Sequence, residues 1–400
     1  MRSIIVPVAL FFGCVAAGTA APQPLDAALD SLSALHEFPE VALAPDHSRV
    51  AWIETSPGKI AGDSTTLAAY IKDLHDTNTA ARRIGEPAPR VQGLAWSQDG
   101  RLAFLSDTES HGQMQLYVLE KPGRGKARKV GNFEGYVGDP RWSPDGKSIA
   151  VVQIEGVTRV PGAAEAAAPE SGVIASKPVE QRLAIVNVAT GAVRSISPAD
   201  IYVYEFDWSP DSKSLVYLGA PGDGDDNWFV AELYTIDAET GAARQLLKPA
   251  MQVANVRWSP DGKSIGFIGG LMSDAGVVGG DIYALPAEGG EPRNLTPNRK
   301  SSPQWFHWSP SSKQILMGEN VAGLSAISTL DLATGGTETL WKGEESGLFS
   351  GDAASSAVIR NSWTQPPEVW AGVTGKWRQI THSNDAQPGV RDAQQRLWGE

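Results

Sequence analysis

Cysteine is nearly absent from this 400-residue chain, and its single copy, Cys14, falls within the first 20 residues. The remaining residues offer no thiol for a disulfide, a thiolate nucleophile or a cysteine-ligated zinc. Histidine is also scarce, and the six copies (His36, His47, His75, His111, His307 and His382) show no metal-ligand spacing such as H-x-x-x-H. No metal site and no cofactor is therefore expected. Positive charge is in deficit: 34 Lys and Arg against 46 Asp and Glu leave a net charge of −12. Nucleic acid and anionic membrane surfaces both attract basic patches, so neither is an expected partner.

Long hydrophobic runs are missing too. The apolar run at 4–17 is too short for a membrane span. With Arg2 before it and Gly18-Thr19-Ala20 after it, it has the form of a secretory signal ending in a small-residue cleavage site. Residues 1–20 are read as a signal peptide and the mature chain as exported, either periplasmic or secreted. Phe11-Phe12-Gly13-Cys14 lacks the Leu that a lipoprotein box carries three residues before its Cys, which argues against lipidation.

What the chain does have is a repeat. Trp-Ser-Pro-Asp, then Gly or Ser and Lys-Ser, recurs at Trp142, Trp208 and Trp258, with degraded copies at Trp96 and Trp308. Two fainter copies, Leu43-Ala44-Pro45-Asp46 and Phe349-Ser350-Gly351-Asp352, make seven. The anchors are spaced by 53, 46, 66, 50, 50 and 41 residues, the span of one four-stranded propeller blade each. The clearest unit has an inner strand at 253–258, a turn at Ser259-Pro260-Asp261-Gly262, and return strands at 264–268, 281–285 and 292–295. The fold class predicted is all-β: a seven-bladed, WD-repeat-like β-propeller of four-stranded blades at 39–381. A lead segment at 21–38, amphipathic over 25–36, precedes it, and a linker at 382–400 comes after it. An Ala/Pro/Glu-rich insertion at 156–178 accounts for the 66-residue step. The first unit starts with an inner strand and the last ends with an outer one, so no blade is completed by strands from both termini. The first and last blades are expected to meet through side chains alone.

Two stretches imitate functional motifs. Gly262-Lys263-Ser264-Ile265-Gly266 matches the G-x-S-x-G elbow, but the sister repeats place Ser148 and Ser214 at the same point of a hairpin, so Ser264 is read as a turn residue. Asp223-Gly224-Asp225-Asp226-Asn227 resembles a calcium loop, yet Trp228 stands where Gly is needed and Tyr234 where the bidentate Glu is needed. No catalytic residue is assigned.

Val203-Tyr204-Glu205-Phe206-Asp207-Trp208-Ser209-Pro210-Asp211 with Asn227-Trp228, Pro367-Glu368-Val369-Trp370 with 377–384, and Leu397-Trp398-Gly399-Glu400 add a family likeness. Together with the repeats, which Tol-Pal propellers also carry, they resemble the N-terminal propeller of the prolyl oligopeptidase family of serine peptidases, in its exported dipeptidyl-peptidase and acylaminoacyl-peptidase-like branch. The resemblance implies a catalytic α/β-hydrolase domain, which is absent from these 400 residues, and therefore inactivity of the chain alone. It also implies partners: peptides, and a hydrolase domain from the same protein or a separate chain. In the dipeptidyl peptidases a Glu pair after Val-Tyr binds the substrate amine; here only Glu205 occupies that place, so it is the one candidate substrate-binding residue. The other reading of Glu205 is a polar residue lining the axial channel. Two functions are then open: a non-catalytic, substrate-gating propeller of an exported peptidase, or a stand-alone Tol-Pal-type propeller that holds a protein partner.

Overall fold

The computed structural model describes residues 33–385, apart from 56–66, 77, 86–89, 158–179, 223–224, 275, 346, 363–364 and the side chains of 225 and 226. The expected signal peptide, most of the lead segment and of the insertion, and residues 386–400 of the linker lie outside the described residues.

Twenty-eight antiparallel strands form seven four-stranded sheets, each made of four consecutive strands. Blades 1 to 7 occupy 40–84, 91–129, 135–195, 201–247, 252–294, 301–343 and 349–379. The propeller is thus the fold that the repeat predicted. Six of the seven anchors end an innermost strand, and Phe349 begins the last one. The fourth strand of blade 5 is shorter than the expected 292–295, at Arg293–Asn294. A 3-10 helix at Asp225–Val230 was not foreseen, because the acidic stretch before it reads as loop.

The repeat motif closes a turn with its own side chains. In blade 5 the Ser259 hydroxyl donates to Asp261 Oδ1 at 2.7 Å and accepts from the Ser264 N–H at 2.9 Å, while Asp261 Oδ1 accepts the Lys263 N–H at 3.1 Å. Ser143, Asp145, Lys147 and Ser148 repeat the arrangement in blade 3, and Ser209, Asp211, Lys213 and Ser214 repeat it in blade 4. The fourth turn residue is left-handed in six blades: Gly100, Gly146 and Gly262, but also His47, Ser212 and Ser312. L-residues carry strain there. Each of the three non-glycines bonds the preceding blade: Ser212 Oγ accepts the Asp145 N–H, Ser312 Oγ accepts the Asp261 N–H, and His47 Nε2 lies 3.0 Å from Asp352 Oδ2.

The anchor tryptophans do more than fill the space between blades. Trp96, Trp142, Trp208 and Trp308 each donate their indole N–H to the carbonyl one residue before the anchor of the previous blade, namely Ala42, Ala95, Arg141 and Arg257, at 3.0 to 3.3 Å. Trp258 breaks the series, for its buried Nε1 has no partner among the described residues. Within blades, second and third strands pair aromatic residues directly: Trp52 with Tyr70, Phe104 with Tyr117, Tyr217 with Tyr234 and Phe267 with Tyr283, all stacked.

Ring closure matches the expectation that no blade mixes the two termini. Blades 7 and 1 share an apolar core of Phe38, Val41, Leu43, Val50, Trp52, Ala357, Ile359, Val369 and Ala371. Polar bonds reinforce it: the Leu43 N–H donates to Ser350 Oγ, and the Asn384 side chain accepts from the His36 N–H and donates to its carbonyl. The buried Glu368 carboxylate in turn accepts the Asn384 N–H and the Thr381 hydroxyl.

Acid should loosen this fold. The Arg101 side chain lowers the pKa of Asp99, and the Ser209 and Ser259 hydroxyls lower those of Asp211 and Asp261. A depressed folded pKa stabilises above the unfolded value, about 3.9 for Asp, and that contribution is lost as pH falls through the folded value. Burial raises Glu40 and Glu368, which work in the opposite sense. Burial also holds His307 down to about 4, so that between about pH 6.5 and 4 only the unfolded chain takes up its proton. With the lowered aspartates more numerous as well, melting temperature is expected to fall as pH drops below about 6.5 and to keep falling below 4. A melting temperature that rises on acidification from pH 4 to 3 would refute this balance.

Candidate functional site

Inner strands line the axial channel, and two columns of side chains reach from each blade to the next. Three residues before the anchors stand Glu40, Gly93, Asp139, Glu205, Asn255 and Trp305. Glu40 accepts the Gly93 and Leu94 N–H groups at 2.8 and 2.5 Å. Glu205 accepts the Val256 N–H at 3.2 Å, Asn255 donates to the Gln304 carbonyl, and Trp305 stacks on Phe349 at 4.6 Å. Bulges in the inner strands of blades 2, 5 and 6 free the backbone groups that these side chains use.

One residue before the anchors, blades 3 to 6 carry Arg141, Asp207, Arg257 and His307. Arg141 donates to the Phe206 carbonyl and lies 3.7 Å from Asp207, which accepts the Trp258 N–H at 2.8 Å. Burial lowers the pKa of Arg257, and neighbouring Arg141 adds to the shift; the same two causes, burial and then the positive charge of Arg257, push His307 down to about 4. At pH 7 the imidazole is neutral.

Glu205 is half-buried, midway along Ile201–Trp208. One carboxylate oxygen staples blade 5, as Glu40 staples blade 2. The other has no hydrogen-bond partner among the described residues, although Arg257 lies within electrostatic range. The sequence displayed Glu205 as a family motif residue and left its staple bond unread; aligning the column three before each anchor would have shown its kinship with Glu40. The expected neighbour Trp228 is buried in the 3-10 helix with Phe229 packed edge-on. Ser264 opens the second strand of blade 5, paired with Pro286 inside a hairpin. Among the described residues no three His, Cys, Asp or Glu side chains group as a metal site.

One mouth of the ring, where innermost strands begin and second strands end, carries exposed apolar residues on blades 4 and 5. Phe229 and Val230 close the 3-10 helix, Met251 precedes Gln252–Trp258, and Leu271 (88% exposed) and Val277 lie between the second and third strands of blade 5. Among the described residues no helix is long and apolar enough to cross a membrane.

No family model matches the chain. In sequence, 123 residues (30% of the chain) are 35% identical to the uncharacterized peptidase YuxL of Bacillus subtilis, and 179 residues (42%) are 25% identical to dipeptidyl-peptidase 5 of Porphyromonas gingivalis. A stretch of 84 residues (21%) is 33% identical to the Tol-Pal system protein TolB of Francisella tularensis. These matches cover only 18, 23 and 18% of the relatives' own lengths. In structure, 88% of the chain superposes on 54% of the Pyrococcus horikoshii acylaminoacyl peptidase at TM-score 0.64 and 13% identity. The same share superposes on 99% of the β-propeller domain of the Pyrococcus furiosus trilobed protease, described as having an open velcro topology, at TM-score 0.61 and 14% identity. The chain is a seven-bladed propeller with the fold of peptidase propeller domains, and it is related in sequence to peptidases and to TolB.

Proposed function

We propose that this chain is the non-catalytic, substrate-gating propeller of an exported serine peptidase of the prolyl oligopeptidase type. The observation that carries the reading is the apolar rim at one mouth, formed by Phe229, Val230, Met251, Leu271 and Val277. Apolar residues exposed together at one mouth mark a candidate interaction surface. The partner proposed is an α/β-hydrolase domain, from the same protein or a separate chain. The propeller would then shield the active site and pass short peptides, leaving folded proteins outside.

Within that assembly Glu205 is the proposed ligand of a peptide's free amino group. Its staple bond to Val256 fixes the carboxylate, and the remaining oxygen is available to accept an ammonium N–H. In a reconstituted pair of this chain with a hydrolase domain, Glu205→Gln is expected to weaken free-amine peptides by roughly 1 to 3 kcal/mol in kcat/KM and to leave amino-blocked peptides almost untouched. Equal losses on both would assign Glu205 to the staple alone. The match to TolB favours a second reading, a stand-alone propeller holding a protein partner. Turnover by the pair on short peptides separates the two.

A further inference from the structure

The ring is thinly packed at one interface, and it is not the closure between blades 7 and 1. Buried apolar clusters fill the junctions 1/2, 2/3, 3/4, 4/5, 5/6 and 7/1, but among the described residues none spans blades 6 and 7. A cavity of about 260 Å³ lies there instead, walled by Trp305, Trp341, Phe349 and Trp377. Two features keep it open. The innermost strand of blade 7 is three residues, Phe349–Gly351, against eight in Ser301–Trp308 of blade 6, so the upper face of blade 6 goes uncovered. The segment leading into it hugs its own blade: a Cβ on Gly347 would collide with the Ile359 carbonyl oxygen, a position that only glycine can occupy. Gly318 has the matching role on the other wall, where a Cβ would strike the Trp305 indole.

The charges in the wall are already matched. Arg360 pairs with Glu345 through both carboxylate oxygens, at 2.5 and 2.6 Å, and sits 4.5 Å from the Trp370 ring. Arg299 pairs with Glu319 at 2.6 Å. A charged guest would find no free counter-ion and would lose its hydration on entering, whereas a neutral apolar group gains contact with four aromatic rings. Gln304, Asn320 and Ser325 also line the cavity and bring amide and hydroxyl groups suited to a peptide backbone. The cavity volume suits one side chain and its amide.

We infer that the cavity between blades 6 and 7 is a binding subsite for a neutral apolar side chain, preferably aromatic, of a peptide. This rests on the peptide reading above and adds to it a place and a preference. The test uses the full chain and needs no hydrolase, so failure of hydrolase pairing leaves it standing. Saturation-transfer NMR titrations compare N-acetylphenylalanine amide with N-acetylaspartate amide. The wild type should bind the first saturably and the second about tenfold more weakly or worse. Ile327→Phe, which enlarges a side chain that blade 6 turns to the cavity in register with Gly318 and Trp341, should weaken the phenylalanine ligand about tenfold or more without unfolding the protein. Should that variant not fold, Gly318→Ala, which pushes the Trp305 indole into the cavity, serves in its place. The inference is overturned by absence of saturable binding to wild type at about 10 mM, by equal binding of both amides, or by unchanged binding in the folded variant.

Discussion

Truncating Trp208 to Ala should destabilise the propeller by roughly 3 to 5 kcal/mol, the range for removing a buried aromatic and leaving a cavity. Trp208 is 6% exposed and packs with Phe206, Leu215, Tyr217 and Ile236 between blades 3 and 4. Its indole N–H also donates to the Arg141 carbonyl at 3.0 Å, a bond worth about 1 kcal/mol. The two contributions separate by comparison with Trp258, whose Nε1 is buried without a partner among the described residues. Trp208→Phe should cost about 1 kcal/mol more than Trp258→Phe, because only the first removes a formed bond. Urea midpoints read both, provided the slope m stays that of wild type. Equal costs for the two Phe variants would show that the inter-blade bond contributes nothing to stability.

Arg299→Met is the second large effect, expected at about 3 to 5 kcal/mol near neutral pH. The Glu319 side chain is 2% exposed and is held by the Arg299 guanidinium and the Ser301 hydroxyl. Burial alone would raise its pKa; the Ser301 and Arg299 bonds outweigh burial and hold it below the ordinary value. A depressed pKa means stability present above the unfolded Glu value, about 4.3, and lost as pH falls through the folded value. Without Arg299 the carboxylate is left desolvated and its pKa climbs, so in acid the variant protonates Glu319 first. The gap between wild type and variant should therefore narrow from pH 7 to pH 4. Urea titrations at the two pH values check it, and a gap that widens on acidification would refute the pairing.

The blade count and most strand positions were legible because Trp-Ser-Pro-Asp carries its whole mechanism locally. Ser259, Asp261 and Ser264 bond one another within six residues, so the sequence displays the turn and both strands beside it. Neither the bond from the Trp208 indole to Arg141 nor that from Glu205 to Val256 could be read from one repeat, since each partner lies more than 50 residues away. The 3-10 helix at Asp225–Val230 escaped for a different reason: Trp228 anchors it by burial, while its acidic start has the composition of a solvated loop. The cavity between blades 6 and 7 was beyond pattern reading altogether. It comes from an innermost strand of blade 7 that begins only at Phe349, and no residue type signals a strand that starts late.

If the apolar mouth of blades 4 and 5 covers a hydrolase domain, as proposed, binding tests it most directly. The hydrolase domain of a full-length relative, expressed separately, is titrated against this chain by calorimetry at micromolar concentration, beside the Val230→Asp, Leu271→Asp double variant. A one-to-one complex is expected with wild type, and binding weakened about a hundredfold by the two charges placed in the interface, roughly 3 kcal/mol. No complex at micromolar concentration, or equal affinity for the double variant, would contradict the capping role.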